Sequence, residues 1–143
     1  MEKLRNSKML GVIGNILVIV SLFCTWFSTE STSMGLHGTT QFINGNDGKC
    51  ALVLSIASLF IIFAENISPK FFKGLTNVKL TLVCSIVQLV MIVNVIYQVT
   101  NFDLGGTDIT WHFGTGFYIM CIGVAILLIF PFMYKQKKEE NIK

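Results

Sequence analysis

The chain sorts into four long apolar runs separated by polar stretches. The first, residues 8–27 (KMLGVIGNILVIVSLFCTWF), is interrupted only by Gly, Asn, Ser and Thr. About twenty such residues are needed to cross ~30 Å of hydrocarbon as a helix. Spans are expected at about 9–27, 49–65, 80–99 and 114–132. The second is the weakest, because its strictly apolar part, residues 50–64, is short. Lys49 and Glu65 can lengthen it by reaching the two interfaces with their charged ends. Both chain ends are basic, and two ends on one side require an even number of spans. The expected fold is all-α: one domain, residues 1–143, forming a four-transmembrane-helix bundle.

Helical periodicity gives the runs an inside and an outside. At 100° per residue, Gly11, Gly14, Asn15, Ser21 and Thr25 share one side of the first helix. In lipid, small and weakly polar residues mark the face that packs on neighbouring helices. The third run carries Thr81, Ser85, Gln88, Asn94 and Gln98, with the first three within about 60° of one another. At ~1.5 Å per residue, Asn15 lies roughly 10 Å and Gln88 roughly 13 Å above the same edge. Asn15, Gln88 and Asn94 are the expected interhelical polar contacts, with Asn15 and Gln88 near enough to meet. Such bonds average about 0.6 kcal/mol and fix register.

The stretches between runs have their own patterns. In residues 28–48, Thr39-Thr40-Gln41-Phe42-Ile43 is strand-forming, and Asn44-Gly45 and Asp47-Gly48 are turn signals. A short β-hairpin is therefore expected there. Trp26 and Trp111 mark the membrane interface. Residues 66–78 hold Pro69, Gly74 and the interfacial Lys70-Phe71-Phe72-Lys73. Phe42-x-x-Gly45-x-x-x-x-Cys50 and Phe113-x-x-Gly116-x-x-x-x-Cys121 suggest two related helical hairpins, each with a glycine for close backbone approach beneath an aromatic plug.

Composition fits this reading: 52% of residues are hydrophobic and 13% charged, against about 25% charged in soluble domains. Ten of the eleven Lys and Arg residues fall in the N-terminus, the 66–79 stretch and the tail, and only Lys49 falls opposite. The positive-inside rule then puts both termini in the cytoplasm and the two Gly/Ser/Thr-rich loops outside, in a multi-pass protein of the cell membrane. The basic start and apolar core imitate a signal peptide, but no A-x-A site follows Trp26, so an uncleaved first span is expected.

Candidate chemistry is sparse. Cys24, Cys50, Cys84 and Cys121 form no C-x-x-C pair, though Cys24 and Cys50 sit near the outer ends of adjacent spans, where a disulfide is conceivable. His37, His112, Glu30, Asp47, Asp103 and Asp108 lie outside without metal-ligand spacing. No cofactor, metal or catalytic triad is expected, and no basic stripe suggests nucleic acid. Apart from thiols, no ionisable group lies deep within a span, which disfavours a proton-coupled pump.

With Gly45-Asn46-Asp47-Gly48 before the second span and Gly114-Thr115-Gly116 opening the fourth, the chain resembles small four-span membrane proteins common in bacteria that carry Gly-rich outer loops. That resemblance implies topology, not activity. The topology is also similar to that of claudins. Their Gly-Leu-Trp motif and paired cysteines are missing, however: the chain has Gly35-Leu36-His37 and no cysteine between 25 and 49. The expected function is non-enzymatic: a protein that, besides the lipid bilayer, contacts a membrane or secreted protein, as an accessory subunit or as an immunity protein against a membrane-active toxin. The outer-loop candidates for that contact are His37, Phe42, Asp47, Asp103, Asp108, Trp111 and His112. The alternative is a homo-oligomeric channel or small-solute transporter around the Asn15, Gln88 and Asn94 layer.

Overall fold

A computed structural model describes residues 2–31, 36–67, 74–100 and 109–140. The order of elements is α1 (Glu2–Phe23), β1 (Thr25–Ser31), β2 (Leu36–Gln41), a single 3-10 turn (Phe42–Asn44), α2 (Asn46–Ile67), α3 (Gly74–Thr100), β3 (Ile109–Phe113) and α4 (Thr115–Glu140). The protein is mostly helical, and a small three-stranded sheet caps one end. Three helices hold segments long and apolar enough to cross a membrane: Asn46–Phe63, Val78–Thr100 and Thr115–Tyr134. The apolar part of α1, Lys8–Phe23, is shorter.

The bounds of the first two runs differ from expectation. The run weakest in sequence forms a full-length helix, because Asn46-Asp47-Gly48-Lys49 joins α2 as its first turn. The first run, expected to span about 9–27, stops being helical at Phe23. Its last residues, Thr25-Trp26-Phe27, are β-branched or aromatic strand formers and open β1 instead. α3 begins before residue 80 and α4 continues past 132, through Pro131.

The helices pack in cyclic order, α1 beside α2 and α4, and α3 beside α2 and α4. The closest approach is between α1 and α4. A Cβ on Gly14 would lie 2.9 Å from Leu127 Cγ and 3.2 Å from the Gly123 carbonyl oxygen. A Cβ on Gly123 would lie 3.0 Å from the Gly14 carbonyl oxygen. Two facing glycines thus let two backbones touch, as the small-residue face of the first run implied.

Relative to a protein in water the surface is inverted, and the interior mixes an apolar core with buried polar residues. Asn15, Ser21, Ser55, Ser58, Thr81, Ser85 and Gln88 are buried, while Ile13, Ile16, Val53, Phe60, Val83, Val90, Tyr118, Ile122 and Phe132 are exposed. Water would penalise such a surface by about 25 cal/mol per Å²; hydrocarbon would not. The inversion and the three long apolar helices fit a membrane location.

β1 is the central strand, with β2 and β3 antiparallel on its two sides. The sheet joins both connections at this end of the bundle. The expected hairpin is therefore present, with β1 as its first strand. β2 ends at Gln41, and Phe42-Ile43 belongs to the 3-10 turn. The Asn44-Gly45 and Asp47-Gly48 pairs lead into α2 rather than turn the hairpin. Residues 66–67 end α2, and residues 68–73 lie outside the described residues, so the Lys70–Lys73 expectation falls there.

Candidate interaction site at the sheet end

The site is built around Trp26. Between Thr25 and Phe27 the pairing of β1 with β2 shifts register, leaving Trp26 as the extra residue of a bulge. A bulge re-aims a side chain, and here it turns two consecutive aromatics inward. Trp26 is fully buried, so it is not an interface marker. Its indole N–H donates to the Ser21 carbonyl oxygen at 2.8 Å, which pairs both the ring nitrogen and a carbonyl of the last turn of α1. Phe42 stacks on it at 4.0 Å and 10°, and Phe117 meets it edge-on at 5.8 Å and 86°. Phe27, Phe113 and Phe117 extend the cluster, with centroids 5.5 Å apart for Phe27–Phe113 and 4.4 Å for Phe113–Phe117.

Two glycines admit these rings. A Cβ on Gly116 would lie 2.6 Å from Trp26 Cδ1, and one on Gly48 would collide with the Phe42 carbonyl. Gly45, the counterpart in the sequence repeat, has only a 3.6 Å neighbour and an ordinary extended backbone. The repeat therefore does not superpose in space. Phe42 is a buried plug on a 3-10 turn, while Phe113 is a partly exposed strand residue.

The register divides the sheet into two chemically distinct faces, because directly paired residues share a face. Ser28, Thr39 and His112 fall on one face with Glu30, His37 and Thr110. On it His37 Nδ1 lies 3.7 Å from Glu30 Oε1, both side chains largely in solvent. Phe27, Thr40 and Phe113 fall on the other face with Thr29, Gly38 and Trp111. One face is thus ionisable and hydroxyl-rich, and the other is aromatic.

Beside the aromatic face lies a groove of about 410 Å³ between the sheet and the end of α3. Phe27, Phe42, Val95 and Val99 supply its apolar lining. Thr40, Gln41, Asn46, Asp47 and Gln98 supply its polar lining.

Of the expected loop contacts, His37 and His112 are exposed on one face and Trp111 on the opposite one. Asp47 is half-buried at the groove. Asp103 and Asp108 lie outside the described residues. Phe42 must be corrected: its ring is stacked under Trp26 and largely buried, so it is a core plug bordering the groove rather than an exposed loop contact. Among the described residues no group of three or more His, Cys, Asp or Glu could hold a metal. Cys24 and Cys50 are both free thiols.

The interior amides divide differently from expectation. Asn15 Nδ2 donates to Ser58 Oγ at 3.1 Å and to the Gly11 carbonyl oxygen at 2.9 Å. Gln88 Nε2 donates to Ser55 Oγ at 2.9 Å. Each amide thus finds a serine of α2 one turn from the other's, not the other amide. Asn15 Oδ1 and Gln88 Oε1 have no protein partner. Asn94 is a correction: it is exposed on α3 and makes no interhelical bond.

Sequence reasoning missed the keystone role of Trp26, the fit at Gly48, and β3. The signal for β3 was present: Ile109-Thr110-Trp111-His112-Phe113 is a run of β-branched and aromatic residues. No known protein family matches the chain, and no curated protein matches its sequence.

Proposed function

We propose that the protein is a four-span cell-membrane protein with both termini cytoplasmic, which acts by binding another protein rather than by catalysis. It would serve as an accessory subunit of a membrane complex or as an immunity protein against a membrane-active toxin. The observation that carries this reading is the sheet. It ties both extramembrane connections into one platform with a polar and an aromatic face, anchored by a buried tryptophan. A platform of that kind suits recognition.

Membership of α1 among the spans is supported by its neighbour. Gly11 lies against Phe130, Gly14 against Gly123 and Leu127, and Ser21 donates to the Met120 sulfur at 3.3 Å. The apolar part of α1 thus runs antiparallel along the spanning segment of α4, so a bilayer around α4 also surrounds α1. Orientation rests on the lysine and arginine distribution. An oligomeric channel has less support, since its lining needs a layer of polar groups on outward faces, and of Asn15, Gln88 and Asn94 only Asn94 faces outward.

Crosslinking in intact cells followed by detergent co-purification tests the reading. A defined membrane or secreted partner, lost when the sheet is disrupted, is the expected result. Recovery only as a lone monomer, together with unchanged toxin sensitivity after deletion of the gene, would overturn it. A thiol introduced at Thr39 should be labelled from outside intact cells, and one in the tail should not.

A further inference from the structure

We propose that the groove beside β2 binds an extended cationic peptide segment, which adds as a fourth strand to the edge of β2 and seats alternate side chains against the groove wall formed by Val95, Gln98 and Val99. The proposal rests on the interaction reading above and gives it a location and a ligand class.

The first support is the edge itself. Among the described residues β2 pairs with β1 on one side and with no strand on the other, and residues 37–41 are exposed. Edge strands are usually blunted by lysine, proline or a bulge that turns the edge away. His37-Gly38-Thr39-Thr40-Gln41 has no lysine or proline, and the sheet's bulge lies on β1. Unpaired backbone groups of this kind are what an added strand uses for affinity, while side-chain pockets supply specificity.

The second support is that the edge and the groove coincide. Thr40 and Gln41 are the last residues of β2 and both line the groove. A strand laid along β2 therefore passes over it. Its volume of about 410 Å³ falls within the ~300–1,000 Å³ of typical ligand sites.

The third support is charge. Asp47 is the ionisable residue lining the groove. Among the described residues of the strands, the 3-10 turn and the first turn of α2, Glu30 and Asp47 are acidic against the single cation Lys49. An acidic surplus raises the local concentration of cationic partners and repels anionic ones.

The test uses the full chain in phosphatidylcholine nanodiscs, with empty nanodiscs as background. The probe is a fluorescent octapeptide of alternating Lys and Val. Two further forms carry backbone N-methyl groups on either the odd or the even residues. Alternate amides of a strand point in opposite directions, so only one form loses the bonds to β2. Saturable binding of the parent is expected, with one methylated form weakened about tenfold, as loss of a few backbone bonds implies, and the other unchanged. An alternating Glu and Val octapeptide should not bind. Gln98→Trp, which fills the groove, should also weaken the parent about tenfold, and Asp47→Asn about threefold. Unchanged circular dichroism and elution volume would show that both variants are folded.

Equal binding of both methylated forms would overturn the added strand. Equal binding of the Glu and Val peptide would overturn the charge argument. A phospholipid retained by the wild type and lost from Gln98→Trp, seen by native mass spectrometry, would overturn the peptide as occupant. If the native partner still co-purifies with Gln98→Trp while the probe fails to bind wild type, the groove assignment falls and the interaction reading stands. Loss of both removes both.

Discussion

The two tryptophans offer the sharpest test, because the sequence treats them alike and the structure does not. Trp26 is fully buried, whereas Trp111 is 36% exposed. Replacing a buried tryptophan by alanine costs about 3–5 kcal/mol through lost transfer energy and the cavity left behind. Within that total, the stack on Phe42 and the edge contact with Phe117 contribute about 0.5–1.5 kcal/mol each beyond area burial. The bond to Ser21 contributes about 1 kcal/mol. The groove behind Phe42 lets that ring relax toward the vacated space, so the low end of the range, about 3 kcal/mol, is expected. A chain of this length loses roughly 4 °C of melting temperature per kcal/mol, so Trp26→Ala should melt about 12 °C lower. Trp111→Ala, at a partly exposed strand residue, should cost clearly less than Trp26→Ala.

Size-exclusion melting in detergent gives the temperatures, and denaturation by dodecyl sulfate gives the free energies. Fluorescence adds a check on placement, because these are the only two tryptophans in the chain. In Trp111→Phe the remaining emission should be blue-shifted and insensitive to acrylamide. In Trp26→Phe it should be red-shifted and quenched. Equal melting losses for the two alanine variants, or equal quenching of the two phenylalanine variants, would refute the keystone role of Trp26.

Gly48→Ala should lower stability by about 1–3 kcal/mol, the usual cost of overpacking, because its methyl meets the Phe42 carbonyl. Gly45→Ala, with open space and an extended backbone, should be nearly silent in the same denaturation assay. Gly123→Leu should separate α1 from α4 and cost at least about 2 kcal/mol, read as loss of a disulfide crosslink engineered between those helices. Gln88→Leu removes one bond to Ser55 but also the unpaired Oε1, so its cost should stay below about 1 kcal/mol. Asn94→Leu should leave stability unchanged or raise it, since Asn94 faces outward; a loss comparable to that of a core variant would contradict its placement. In the Glu30–His37 pair a double-mutant cycle should give a coupling below about 1 kcal/mol, as for other exposed ion pairs.

The helices were legible because apolar runs of near-membrane length have few alternatives. The buried face of α1 was legible too: Gly11, Gly14, Asn15 and Ser21 all face inward. So was part of the polar layer. Thr81, Ser85 and Gln88 share one side of α3 and are all buried. Asn94 could have been separated from them by the same arithmetic. Six residues at ~100° each place it about 120° away from Gln88, on the face that also carries Val90 and Val93.

What local sequence does not encode is which apolar environment a residue enters. Burial under a neighbouring ring and immersion in lipid both remove a side chain from water, and hydropathy responds to that removal alone. Trp26 therefore reads as the end of a span, although Phe42, sixteen residues away, and Phe117, ninety-one residues away, take it into the protein. The same degeneracy explains why the first run yields the shortest apolar helix. Its last residues belong to a sheet whose third strand is supplied by the far end of the chain. Only the pairing of β1 with β3 distinguishes the two outcomes. Weakening that pairing while leaving Trp26 intact should therefore release residues 25–27 toward the bilayer, and so lengthen α1 toward the helix that hydropathy alone implies.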